Sequence, residues 1–481
     1  MHRKAILWLF FVGVSYIGWA QEVSEKERDF VLTQLYYPTP GLSLNYTVTN
    51  EALNEEKVDY ATYASIEKDI EKRAKKLKGK PEDAPLYSAL AEAYTTIFEE
   101  VKADSCWREA IRHYQQWYAL SPNDETVAAG LAEAYAQRKQ FQKAIQVYQS
   151  LLEKQPNQYT YLKGLAEVYQ RMGDMAAYQA QCEKLIVLDE DSQAGHYGKV
   201  MTMYLENVQQ VRQTAEAPTL ARIVPKGYLM QLTKKYSAET SFALLNESIH
   251  LMGLSEIAFG QLSSQASIEN MTLTTAQQVA LQTVKTFFQN LSSKTYKNEV
   301  FVSHSLMIVA FLEKDLTMVK QMYGLIKQLS PYYLENYLDA LCIAMAFKDN
   351  AFALEVLQDK AKIYAESIDQ LFEARQYFEK EDFNRASTLT KTFLKTNQTN
   401  IFAQLALTVL QLKAGQFVQA KAQLYAVARL PKDSYLQHHY WYVHALYDLL
   451  RNNREAAKAK INRILTNAPK NERALLLKDN I

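Results

Sequence analysis

The feature that most constrains this chain is a five-residue pattern that returns at a fixed distance. Leu131-Ala132-Glu133-Ala134-Tyr135 and Leu165-Ala166-Glu167-Val168-Tyr169 lie 34 residues apart. Leu90-Ala91-Glu92-Ala93-Tyr94 has the same form 41 residues before the first of these. Each is followed by a second amphipathic stretch, such as Trp107 to Tyr114 and Phe141 to Tyr148. Ala110 and Ala144 are 34 apart, as are Tyr114 and Tyr148, and Pro122 and Pro156. A unit of this size cannot bury its own apolar face and gains a core only by stacking on its neighbours.

The residue types explain the packing. Small residues let two helices approach closely, Leu and Tyr fill the gap to the next unit, and Pro lacks the N–H that would continue the second helix. Residues 125–158, through Leu131, Ala132, Tyr135, Ala144, Tyr148 and Pro156, resemble the tetratricopeptide repeat family. That resemblance implies antiparallel helices A and B stacked into an α-solenoid, with helix A on a concave, partner-binding side.

The pattern returns beyond residue 300. Val319, Ala353, Ala386, Ala420 and Ala457 follow one another at 34, 33, 34 and 37 residues. Lys348-Asp349-Asn350, Lys380-Glu381-Asp382 and Ala414-Gly415-Gln416 sit where the A-to-B turn belongs. Ala310, Ala344, Gln411 and Asp448 replace the helix-A Tyr, so these units rest on helix B. Gly (14) and Pro (11) are scarce against average usage of about 7% and 5%, which argues against a turn-rich β fold. The expected fold is all-α, a solenoid in two arrays at 84–204 and 300–481. A connector of degenerate helical repeats, 205–299, joins them, interrupted by Pro218 and Pro225. Residues 21–83 are expected to be an extended stretch and a capping helix.

Residues 1–20 read as a secretory leader. Arg3 and Lys4 precede an apolar run that ends in Gly18-Trp19-Ala20, the small residues a signal peptidase accepts. The run is shorter than the roughly 20 residues a membrane span needs. A periplasmic or secreted protein is expected, with no membrane span once the leader is removed.

Catalytic signatures do not stand out. No glycine-rich phosphate loop and no HExxH motif occurs, and the formal net charge of +1 gives no electrostatic reason to expect nucleic acid. His438, His439 and His444 are spaced for packing rather than for metal binding, since His439 and His444 are five residues apart and do not share a helix face. Cys106, Cys182 and Cys342 read as small buried apolar residues. The expected protein is a non-enzymatic scaffold without cofactor or metal. Its partner is a protein or peptide in the concave groove, in assembly or secretion at a bacterial envelope. The alternative is a glycan-binding accessory subunit of a polysaccharide or peptidoglycan machine.

Two rows of helix-A positions are candidate docking surfaces. Glu92, Glu133 and Glu167 occupy equivalent places and form a carboxylate ladder able to receive Lys or Arg side chains; Glu is also simply a good helix former on a wet face. In the second array the inward positions are apolar and include Phe311, Leu338, Phe378, Leu412, Tyr442 and Leu446. Such a row is either a groove for an amphipathic helix or a face the solenoid closes on itself. For the leader, N-terminal sequencing of the exported protein should begin at Gln21; intact residues 1–20 on membrane-bound protein would refute this.

Overall fold

The computed structural model describes residues 72–478, apart from 74, 78, 97–99, 214–218, 238–239, 265–267, 294–299, 332, 364–368, 431–433 and 468–471. The leader, residues 21–71 and Pro218 lie outside the described residues. Helices dominate, and among the described residues there is no strand.

Two compact units divide between Asn336 and Tyr337, except that Leu262–Asn270, including the last residues of the helix Thr240–Ser264, is grouped with the second. In the first, the helix pairs are α1 (Ala84–Thr96) with α2 (Glu100–Leu120), α3 (Glu125–Gln137) with α4 (Phe141–Lys154), and α5 (Tyr159–Met172) with α6 (Met175–Leu188). Next come α7 (Gln193–Gln213), the single turn α8 (Leu220–Ile223), α9 (Lys226–Lys235), α10 (Thr240–Ser264) and α11 (Thr275–Ser293). The pair α12 (Val300–Leu312) and α13 (Leu316–Leu329) ends this unit, and α14 (Leu334–Ala346) contains the division. In the second unit, α15 (Asn350–Ile363) precedes the pairs α16 (Asp369–Glu379) with α17 (Phe383–Thr396) and α18 (Ile401–Lys413) with α19 (Phe417–Ala428). The pair α20 (Ser434–Leu450) and α21 (Arg454–Asn467) and the short α22 (Glu472–Lys478) complete it.

One backbone device recurs at seven A-to-B turns. Lys139, Gly173, Lys314, Lys348, Glu381, Gly415 and Asn452 all have φ between 55° and 82°. The amide of each donates to the carbonyl three residues back, and the next amide donates to the carbonyl five residues back, as Lys348 to Met345 and Asp349 to Ala344. This closes helix A by satisfying its orphan carbonyls. The residue after the left-handed one then caps helix B. Asp174, Asp315, Asp349, Asp382 and Asn453 accept from the amide three residues on, at 3.0–3.3 Å. Six of the seven turns stand five residues before a small apolar residue, from Ala144 to Ala457, and after Gly173 that position is Tyr178. The units that lack the helix-A Tyr therefore keep the repeat's geometry.

Length differences also have local causes. The seven extra residues of the first repeat appear as helix: α2 has 21 residues where α4 has 14. The extension is used, because Asp104 on α2 pairs with Arg138 at the end of α3 at 2.6 Å. In the connector, Val224 is extended and Pro225 caps α9. A polar knot then fixes α9 to the start of α7. His196 Nε2 donates to the Glu190 carbonyl at 2.9 Å, so Nδ1 accepts from Tyr228 Oη at 2.6 Å. Tyr236 Oη lies 2.6 Å from Asp191 Oδ1, and Phe242 stacks on the Tyr236 ring at 4.3 Å. Burial lowers the His196 pKa and favours the neutral ring that this network requires.

In the second unit Lys360 is only 1% exposed, its Nζ 2.9 and 3.0 Å from the two carboxylate oxygens of Asp369. The helix-A Tyr position of the last pair is held by Asp448, which pairs with Lys460 of α21. A charge pair thus links helices A and B where an aromatic contact does so elsewhere.

The turn and the packing make opposite predictions. Glu381 is exposed with φ 64°, so Glu381→Gly should raise the unfolding free energy by about 0.5–1 kcal/mol. Ala420 has no exposed surface, and Ala420→Leu should lower it by about 1–3 kcal/mol through overpacking. Denaturant titration of both variants checks the register; unchanged stability in the Leu variant would refute it.

Candidate functional site

The stacking contact in the first unit is between an aromatic ring and bare backbone. Gly130, Gly164 and Gly198 recur every 34 residues on successive A helices. A Cβ built at Gly130 would stand 2.7 Å from the ring of Tyr114, and one at Gly164 would stand 2.6 Å from Tyr148 Cζ and Oη. At Gly198 it would meet Cys182 Sγ at 2.2 Å and Tyr178 Oη at 2.8 Å. Each helix B therefore lays a side chain across the next helix A, and glycine is the residue that leaves room for it.

The same helices carry the carboxylate ladder. On α3, Gly130, Glu133 and Gln137 stand at i, i+3 and i+7; on α5, Gly164, Glu167 and Arg171 do the same. Glu133 accepts from Gln137 Nε2 at 2.7 Å and pairs with Arg171 Nη1 of the next repeat at 3.1 Å. Glu167 faces Lys163 at 3.7 Å. Glu92 is exposed, and Glu133 and Glu167 keep about a third of their side-chain surface. Burial, followed by the Glu133 carboxylate, raises the pKa of Glu92. Burial is also the main cause of the raised Glu167 pKa, to which Glu133 adds and which Lys163 and Arg171 oppose. The Glu133 charge thus acts on both of the carboxylates that the sequence placed at equivalent positions, Glu92 and Glu167. The ladder ends where the next equivalent position, Met201, is apolar.

Phenols form the floor of this face. The Tyr114 hydroxyl lies beside Ser88, and that of Tyr178 beside Cys182. Tyr148 is 5% exposed and lies in the field of Glu133, Glu167 and Arg171. Burial, helped by the two carboxylates, pushes its pKa up, so the phenol stays protonated. Sequence reasoning used Tyr148 only as a register marker and missed the glycines altogether, although their 34-residue spacing was the signal that could have found them.

The apolar row is a correction. Phe311, Phe378, Leu412, Tyr442 and Leu446 are all buried, and Leu338 is half-buried. In the second unit Phe378, Leu405, Val409, Leu412, Tyr442, Leu446 and Leu449 belong to one contiguous apolar cluster. The cause is visible in α12 and α18, each of which buries 11 of its 13 residues. A helix buried on every side is an interior helix, whereas a docking helix keeps one wet face. The row is core and not an open groove. The three histidines of α20 sit against aromatic rings, with His439 beside Phe402, His438 beside Trp441 and His444 beside Tyr440 and Tyr447. All three cysteines are free thiols, and Cys182 and Cys342 are buried.

Comparison with known proteins agrees with this geometry. Residues 107–168, covering the joint between Tyr114 and Gly130 and the whole of α3 and α4, match the tetratricopeptide repeat family. The chain carries tetratricopeptide repeats, a class of repeat that serves protein–protein interaction, and its fold is an all-α solenoid. Comparison with curated proteins gives no match. Among solved structures it is similar to yeast Tom70, at 12% identity over 83% of this chain and 96% of that one, TM-score 0.32. It is also similar to a tetratricopeptide repeat protein from Parabacteroides merdae, at 10% identity over 69% and 99%, TM-score 0.34. A third is the Cut9-Hcn1 hetero-tetramer of the APC/C, at 10% identity over 88% and 89%, TM-score 0.30. Among the described residues no helix is long and apolar enough to cross a membrane.

The raised carboxylate pKa has a consequence for stability. The folded state holds the Glu167 proton more tightly than the unfolded chain, whose ordinary value is 4.5. Ionised Glu167 therefore costs stability at neutral pH, and the cost disappears as pH falls towards 4.5. Glu167→Gln should raise the melting temperature at pH 7, with the gain shrinking on acidification; thermal melts from pH 7 to pH 4.5 test this, and a lower melting temperature at pH 7 would contradict it.

Proposed function

We propose that this chain is an exported scaffold that holds a protein partner on the helix-A face of its first array, in assembly or secretion at a bacterial envelope. The observation that carries the docking face is the ladder of Glu92, Glu133 and Glu167 over a floor of tyrosines. Glu92 and Glu167, whose ionised form is disfavoured, gain when a partner supplies cations. The half-exposed polar face of α1, α3 and α5 also contrasts with the buried row of the second unit, and so favours the first array. Export is supported by the leader pattern of residues 1–20.

The experiment is chemical crosslinking in envelope fractions of the source cells, followed by purification of the chain. The expected result is a defined protein partner retained by the parent and lost by the triple variant Glu92→Gln, Glu133→Gln, Glu167→Gln, with helical content unchanged. A partner held equally by both would move the docking face elsewhere. Recovery of the chain only in the cytoplasmic fraction would refute the envelope role.

A further inference from the structure

We propose that the knot around His196 is an acid-sensitive clasp: a second proton on the imidazole releases α9 from the start of α7 while the α3–α4 pair stays folded.

The hydrogen bonds allow the ring one protonation state. Nε2 faces the Glu190 carbonyl at 2.9 Å, and a carbonyl only accepts, so Nε2 carries the hydrogen. Nδ1 is then the base that the Tyr228 hydroxyl meets at 2.6 Å. The ring is buried, with the Tyr236 and Phe242 rings 5.9 and 6.0 Å away. A second proton can enter only at Nδ1. It sets two donors against each other unless Tyr228 turns its own hydrogen away. Lys199, 5.0 Å from the centre of the Tyr228 ring, and Lys235 are the cations near that phenol, and an ammonium group only donates.

The surrounding charges make His196 the trigger. The link before α7 brings Glu190 and Asp191, which attract a ring cation. Both are exposed and already face Lys235, at 3.7 and 3.2 Å, and Asp191 also accepts from Tyr236 at 2.6 Å. α7 brings Lys199, and α9 with its cap brings Tyr228, Lys235 and Tyr236. α6 brings Tyr178 and Cys182 against Gly198, and burial raises the pKa of both, so neither changes charge in acid. α10 brings the uncharged Phe242. The pKa values of Tyr228, Tyr236 and Lys235 are shifted upward and that of Asp191 downward. Just below neutrality the charge that changes in the knot is therefore that of His196.

α9 is a segment that such a change can move. It has ten residues, of which Leu229 and Leu232 are buried, and a helix this short holds its shape through its tertiary contacts. When α9 lifts away, the imidazole regains its ordinary value of 6.5, whereas burial keeps it lower in the closed clasp. The neutral ring's contribution is thus complete above 6.5 and is lost as pH falls from there towards the closed value. Between pH 7.5 and 5.5 the open form gains by up to about tenfold.

The test is hydrogen exchange of the full chain at pH 7.5 and 5.5, read by mass spectrometry and corrected for the intrinsic effect of pH on exchange. Opening of peptides within 226–236 should rise about five- to tenfold in acid, while peptides within 141–154, which contain no histidine, stay unchanged. His196→Gln cannot take up the proton and should erase the difference. Lys199→Gln removes a neighbouring cation and leaves the knot's hydrogen bonds in place. Its melting temperature at pH 7.5 should match the parent, and its acid response should shrink. No rise in 226–236, or an equal rise in both regions, overturns the clasp. A rise undiminished in His196→Gln assigns the acid response to another group and overturns the role of His196. If His196→Gln does not fold, Lys199→Gln decides, and an undiminished rise there overturns the proposal.

Discussion

The first array depends on a contact between aromatic rings and naked helix backbone. Tyr114 over Gly130 and Tyr148 over Gly164 bring each helix B against the following helix A. With no Cβ in the way, the rings and their hydroxyls lie directly against the backbone of the following helix. Any larger residue at these glycines would push the ring away and open the joint.

The repeat register was legible in the sequence because it is written in residues with few alternatives. Ala144, Ala386, Ala420 and Ala457 all have no exposed surface, and only small residues fit a closely packed helix pair. The link Lys380-Glu381-Asp382 was legible as a turn, although its left-handed residue is a glutamate. The seven-residue excess of the first repeat was visible as length, but not as the extra helix of α2 that Asp104 and Arg138 tie down. The polar knot around His196 could not be read, because its partners come from separate helices with no repeat spacing.

The candidate face was half legible. Equivalent spacing brought out Glu92, Glu133 and Glu167, since charges on stacked helices keep their register. The apolar row failed as an open surface for an equally physical reason. Helical periodicity tells which side of a helix a residue occupies, but not whether that side meets water. Phe378 and Leu412 are as apolar as groove residues would be, and only burial shows that they are core.

Because Tyr148 sits on one repeat and the notch at Gly164 on the next, the unit of packing is the seam between repeats and not the repeat. This bears on how such a chain can lengthen or shorten over time. Duplication or deletion of any whole 34-residue block, wherever the cut falls, restores a seam at the new junction. The face can then gain or lose one step without being rebuilt, whereas a gain or loss of a few residues would part the ring from its notch. Long first-array faces and short ones are therefore accessible by recombination, and intermediate ones are not.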